Sequence, residues 1–286
     1  MMSSFALKQA LAWVGGQPSG PWQDDARFEN VSTDTRNIRQ GDLFVAIRGD
    51  NFDGHRFIDA ARQSGATAAI VDRPDRRVDL PQLVVKDTIN ALAAMAAGNR
   101  ELSSARFVAV TGSSGKTTVR EMVAAILAQM GKTLATEGNL NNHIGVPLTL
   151  FRLAPEHKYA VIELGASGLG EIAHTVAIAR PDVAILTNAG QAHLEGFGSY
   201  DNIVQAKGEI IDGLSANGVA VLNLDDPAFK KMARACRPAP CSVSVRAGSA
   251  RRGFSSNRRA GRRPRTSFYG TGAQRLAVRY PVVAAG

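Results

Sequence analysis

The run FVAVTGSSGKTTVREMVAAIL at 107–127 constrains this chain more than any other feature. An apolar strand candidate leads into Gly112, two serines separate it from Gly115, and Lys116 and Thr117 open a segment with helical periodicity. Glycines at these points let the backbone curl so that successive amides and the helix N-terminus face phosphate oxygens, while a lysine neutralises them and a threonine hydroxyl can ligate magnesium. An ordinary glycine turn would need neither the strand before it nor the lysine at the helix start. The general phosphate loop has four residues between its glycines. Here there are two, with Val110 in the place of the first glycine, so this is a shortened form. Gly112, Ser113, Ser114, Gly115, Lys116, Thr117 and Thr118 are the candidate ATP-binding residues.

Strands and helices alternate around this unit. Strand candidates at 106–110, 132–136, 159–164, 182–188 and 219–225 are near-continuous apolar runs separated by helical segments, which predicts a parallel sheet covered on both faces. In the helix after the loop, Val119, Met122, Val123, Ile126, Leu127 and Met130 fall on one face, which is expected to lie on the sheet. Upstream, LFVAI (43–47), HRFIDAARQSGA (55–66) and AAIVD (68–72) form a smaller α/β unit, closed by an alanine-rich helix at 89–102. The fold class is therefore α/β: an N-terminal domain at 1–102 and an incomplete P-loop, parallel-sheet central domain at 103–233. An irregular basic tail follows at 234–286.

Net charge of +9 suggests a nucleic-acid partner until it is located. Residues 234–286 hold 12 arginines and no lysine, aspartate or glutamate, so the body of the chain nets −3. Both cysteines, Cys236 and Cys241, also lie in the tail, which leaves no disulfide framework for the body and fits a cytoplasmic setting. No basic segment followed by a long apolar core opens the chain, and no window reaches membrane-spanning length.

Other candidate positions are weaker when read one by one. Glu163 ends an apolar strand, so its carboxylate emerges at the carboxyl edge of the sheet, where open α/β folds bind ligands and where it can hold magnesium; a surface or capping glutamate is the competing reading. His193 follows the strand ending at Asn188 and reaches the same edge, although a lone histidine is more often a polar loop residue. Lys207, in DNIVQAKGEI, reads as a solvated helix lysine. Asn139 and Asn142 sit in an asparagine-rich loop that suits phosphate or sugar contacts and plain turn chemistry equally well. Ser32, Thr33 and Arg36 cluster hydroxyls and a guanidinium suited to a diphosphate.

These stretches together resemble the Mur ligase family, MurF type. The match lies in VSTDTRNIRQGDLFVAIRGDNFDGHRFIDAA (31–61), TGSSGKTT, TEGNLNNHIGVPLTL (136–150), VIELGASGLGEIAH (161–174) and LTNAGQAHLEGFGSYDNIVQAKGEI (186–210). The resemblance implies an ATP- and Mg2+-dependent amide ligase of the cytoplasm that joins D-alanyl-D-alanine to UDP-N-acetylmuramoyl-tripeptide through an acyl phosphate, as a peptidoglycan precursor is made. It implies magnesium contacts for Thr117, Glu163 and His193, and a carbamylated Lys207 as a further metal ligand. Catalytic weight falls on Lys116, Lys207 and His193. Asn139 and Asn142 would lie against nucleotide and substrate, and the region of Ser32, Thr33 and Arg36 would hold the uridine nucleotide.

The resemblance fades after about residue 230. Members of this family carry a third domain that helps to bind the dipeptide, so little ligation is expected of a chain without one. A shifted reading frame would account for arginine appearing abruptly without lysine or acid, and 234–286 is expected to be foreign to the fold. Three alternatives stand beside this. One is a non-catalytic nucleotide- or muramoyl-peptide-binding fragment, one a different amine specificity within the family, and one a nucleic-acid-binding tail on a P-loop domain. The last is disfavoured because only Phe254, Phe268 and Tyr269 interleave the arginines. A monomer is expected.

Overall fold

The computed structural model describes residues 2–49, 52–190, 194–214, 217–235, 242–247, 266–269 and 274–279. His193, both cysteines and the arginine clusters at 251–252, 258–259 and 262–265 lie outside the described residues. Two compact units are present: residues 1–105 with 126–160, and residues 106–125 with 161–286.

In the first unit five strands are ordered Gln17–Ser19, Gln82–Val84, Ala68–Val71, Asp42–Val45, Asn30–Ser32. The last four pair in parallel, with Val31 opposite Leu43, Phe44 opposite Ala69 and Ile70 opposite Leu83. Ala68–Val71 and Asp42–Val45 are buried along their whole length, as strands in a covered parallel sheet are. Phe44, Ala46, Ile58, Ala61, Ala69, Val71 and Leu80 form one core cluster. The alanine-rich helix spans Thr88–Glu101 and starts at Asp87, whose Oδ1 accepts from the amides of Ile89 and Asn90 at 2.8 and 2.9 Å. Its interior Gly98 is required by packing: a Cβ there would lie 2.4 Å from the Trp13 ring.

In the second unit the strand Arg106–Thr111 pairs in parallel with Val183–Leu186, which pairs in parallel with Val219–Asn223. Val161–Glu163, the end of the strand Tyr159–Glu163, flanks Arg106–Thr111 on its other side. Beyond Val219–Asn223 the backbone of Ser242–Ala247 joins in parallel, followed by Gln274–Arg279 and Thr266–Tyr269 in antiparallel pairing. Those three strands are what is described of 236–286, where the sequence offered a strand only at 276–286.

A sheet buried on both faces is found at the ends of Arg106–Thr111 and Tyr159–Glu163, where Ala109–Thr111 and Ala160–Glu163 are buried without alternation, and only in part in the next two strands. Ala184, Leu186, Ala220 and Leu222 are buried, while their alternates Val183, Ile185, Val219 and Val221 are half-buried. The helix Lys116–Ala128 likewise does not sink its apolar face: Met122 and Ile126, and Met130 just beyond it, are 58%, 64% and 62% exposed. Of the face that periodicity picked out, Val119, Val123 and Leu127 are half-buried and the rest exposed, and the helix is also held by its N-terminal loop and by a buried ion pair.

Candidate active site

The loop between Arg106–Thr111 and Lys116–Ala128 is built as phosphate-loop chemistry requires. Gly112 takes φ 150°, and a Cβ there would strike Thr187 Oγ1 at 2.0 Å; Gly115 takes φ 76°. The segment after Val183–Leu186 holds the loop from beside. Asn188 O accepts from Ser113 N at 3.0 Å, Asn188 Oδ1 accepts from Ser114 N at 3.1 Å, and Asn188 Nδ2 donates to Ser114 O at 3.0 Å. Thr187 Oγ1 donates to Ser114 O at 2.6 Å, and Ser113 Oγ to Gly190 O at 2.9 Å. Lys116 Nζ folds over the loop and donates to Gly112 O at 2.9 Å.

Glu163, at the end of its strand, is 2% exposed. Its Oε2 accepts from Thr117 Oγ1 at 3.0 Å and from Arg120 Nη1 at 3.2 Å. Two hard oxygen donors from different elements thus meet beside the lysine of the loop. Magnesium is bound by one or two protein oxygens with water and phosphate oxygens completing its octahedron, so Thr117 and Glu163 fit that ion. Among the described residues no group of three or more His, Cys, Asp or Glu could hold a metal by itself.

Lys207 is buried, at 2% exposure, in the helix Tyr200–Asp212. That helix is started by Ser199, which accepts from Asn202 N at 3.1 Å. Lys207 Nζ donates to Ala166 O at 3.3 Å and lies 5.3 Å from the Phe197 ring centroid. Burial, aided by the charge of Lys116, lowers its pKa from 10.5 to about 8. The solvated surface lysine suggested by the residues alone is therefore not what forms.

In the first unit Ser32 Oγ donates to Asp34 O at 3.0 Å and accepts from Asp34 N at 3.2 Å. Asp34 is forked by Arg36, which also donates its backbone amide, and these bonds hold the Asp34 carboxyl below its ordinary range. Thr33, Asp34, Thr35 and Arg36 line a cavity of about 520 Å³ with Phe44, Phe52 and Phe57. Phe52 and Phe57 stack at 5.5 Å and 12° while remaining 51% and 38% exposed. Sequence reasoning missed this pair; two phenylalanines left out of the core across a six-residue turn were its only signal.

Asn139 and Asn142 are exposed. Asn142 Oδ1 accepts from Ile144 N and Gly145 N at 3.2 and 2.8 Å, so it starts the short helix Gly145–Leu150. Asp226 was also missed. It is buried, and its carboxylate accepts from Ala189 N at 2.8 Å and Ala228 N at 2.7 Å, tying the loop after Val183–Leu186 to the segment after Val219–Asn223.

Comparison with known proteins decides the family. The Mur ligase middle domain model matches residues 110–280, and the model of the Mur ligase family catalytic domain matches residues 27–129. The chain belongs to the Mur ligase family. It is 53% identical over 225 residues to the UDP-N-acetylmuramoyl-tripeptide–D-alanyl-D-alanine ligase of Escherichia coli K12, covering 79% of this chain and 49% of that protein. For the Bacillus subtilis 168 protein of the same name the identity is 37% over 228 residues, covering 79% and 50%. Among solved structures, MurF from Acinetobacter baumannii matches with a TM-score of 0.82 at 37% identity, covering 86% of this chain and 55% of that one. MurF ligase from Thermotoga maritima in complex with ADP matches with a TM-score of 0.71 at 36% identity, covering 77% and 51%. This Mur ligase chain spans about half the length of the curated relatives it matches. Among its described residues no helix is long and apolar enough to cross a membrane.

Proposed function

We propose that this chain carries the ATP-binding and uridine-nucleotide-binding parts of a MurF-type ligase, acting in the cytoplasm on a UDP-N-acetylmuramoyl-tripeptide with D-alanyl-D-alanine as the second substrate. The observation that carries the reading is the loop 112–117 with Lys116 closed over it and Thr117 and Glu163 meeting at 3.0 Å beside it. The loop amides and Lys116 cradle the ATP phosphates and neutralise charge on the phosphoryl group as it passes to the tripeptide carboxylate. The amine of D-alanyl-D-alanine then displaces phosphate from that acyl phosphate to form the amide. Thr117, Glu163 and His193 would hold magnesium, which would supply further neutralisation of phosphate charge.

Lys207 fits its proposed carbamylation because an amine with a pKa of about 8 is partly neutral near physiological pH, and the neutral amine is what adds to carbon dioxide. A carbamate resonance from 13C-bicarbonate, absent in Lys207→Met, tests this. In the first unit the Phe52–Phe57 pair offers a face for the uracil ring, and Thr33 and Arg36 offer donors for the diphosphate.

Isothermal titration with ADP, with and without Mg2+, and separately with UDP tests the reading. Binding of both is expected. Lys116→Met removes ADP binding alone, and failure of the unmodified chain to bind ADP overturns the proposal. A phosphate-release assay with both substrates then separates ligation from binding without turnover.

A further inference from the structure

The helix Lys116–Ala128 buries one residue completely, and that residue is Arg120. Its Nη1 meets Glu163 Oε2 at 3.2 Å with both side chains 3% exposed, and its Nη2 reaches the carboxylate of Glu121 at the surface. The Glu163 oxygen that takes this guanidinium is the one that accepts from Thr117. A fixed cation therefore already stands against the two groups assigned to the divalent ion.

We propose that Arg120 is a positioning residue, a built-in countercharge for Glu163 that sets the divalent-cation affinity of the site. The inference rests on the reading of Thr117 and Glu163 as metal ligands. A buried carboxylate without a partner is strongly unfavourable, so Glu163 needs a cation before any metal arrives. A guanidinium supplies a planar fork of charged donors, so it keeps the carboxylate aimed. Two cations facing one carboxylate repel each other, and Arg120 thereby weakens the hold on the divalent ion. Glu121 offers the guanidinium a second carboxylate, so Arg120 stays paired when a metal ion shares Glu163. A purely apolar residue at 120 would pack the helix but could not do this.

Mn2+ titrated into the chain at saturating ADP, with free Mn2+ followed by electron paramagnetic resonance, measures the effect. Arg120→Gln keeps a donor for Glu163 without the charge and is expected to bind Mn2+ about tenfold more tightly, while Arg120→Lys stays within about threefold of the parent. In EDTA the Gln variant melts below the parent, and Mn2+ with ADP raises its Tm by more than it raises the parent's. Equal or weaker Mn2+ binding by Arg120→Gln overturns the proposal. Should that variant fold only with Mn2+ and ADP present, the proposal is supported. Should it fold in neither condition, Glu121→Gln decides. That exposed change removes the surface carboxylate from Arg120, strengthens its hold on Glu163 and weakens Mn2+ binding about threefold, and unchanged binding counts against the proposal. Glu163→Gln separates the two levels of the argument. Lost Mn2+ binding there with no gain in Arg120→Gln removes only the role of Arg120. Unchanged binding there, or no Mn2+ binding by the parent, removes the ligand assignment and the proposal together.

Discussion

Lys207 Nζ stands 5.3 Å from the centroid of the Phe197 ring, inside a helix face that is otherwise apolar. Its folded pKa of about 8 lies below the 10.5 of an unfolded chain. Between those values the unfolded state binds more protons, so stability rises with pH across that window and the penalty for burying the charged amine is fully present below about pH 8. Urea unfolding of the parent and of Lys207→Met across this range checks it. The parent should gain on the order of 3 kcal/mol relative to the variant as pH rises from below 8 toward 10.5. Parallel pH profiles for the two proteins would show that the lysine is not buried in its charged form.

Phe52 and Phe57 stack nearly parallel at 5.5 Å and stay partly exposed, an arrangement that leaves apolar ring surface on the cavity that Thr33 and Arg36 also line. Each ring buries about half of its surface or more, so truncation should cost stability on the order of 1–2 kcal/mol. Ligand binding should respond, because stacking a base on an aromatic ring contributes about 1–3 kcal/mol. Truncating the more exposed ring, Phe52→Ala, is expected to weaken UDP binding by about tenfold and lower Tm modestly while leaving ADP binding unchanged. Equal UDP affinity for parent and variant would place the uracil elsewhere.

The loop 112–117 was legible because its demands are local: glycines at positive φ, a lysine and a threonine at a helix start, all within six residues. A parallel sheet followed from apolar runs alternating with helices. What stayed hidden depends on which segments meet. Asn188 read only as the end of a strand and Asp226 drew no reading, yet one grips Ser114 and the other ties two loops together through backbone amides. Arg120 drew no reading from the sequence and is the residue that the helix buries. Met122, Ile126 and Met130 show the converse, since periodicity reveals which side chains share a face and not what covers it.

Thr117 shares Oε2 of Glu163 with Arg120, so its hydroxyl has both a structural partner and a proposed metal. Thr117→Val keeps the side-chain shape and deletes the oxygen. Glu163 retains the guanidinium, so the fold should persist with a loss of about 1 kcal/mol for one hydrogen bond. The Mg2+-dependent increment in ADP affinity should fall by at least about tenfold, while binding without Mg2+ changes little. Calorimetry with and without Mg2+ separates the two effects, and an equal loss under both conditions would assign Thr117 to phosphate instead of metal.

Asn99 does for the first unit what a cap does for an isolated helix. Its Nδ2, buried in the Thr88–Glu101 helix, donates to Leu150 O at 2.9 Å and Leu153 O at 3.4 Å, the carbonyls at and just past the end of Gly145–Leu150. Helix ends leave carbonyls without intrahelical donors, and in a buried setting water does not supply them. Asn99→Leu matches the volume but takes the side-chain donor from both oxygens; Leu150 O keeps the Leu153 amide at 3.0 Å, so the loss is about 1 kcal/mol. Asn99→Ala adds a void to the same loss and should be the more destabilising. Urea titrations should show the midpoint falling with the slope unchanged for Asn99→Leu. ADP affinity serves as the control, since the loop 112–117 has no bond to this residue. A midpoint equal to that of the parent would mean that the two carbonyls find other donors, and that the pairing of these helices rests on apolar contact alone.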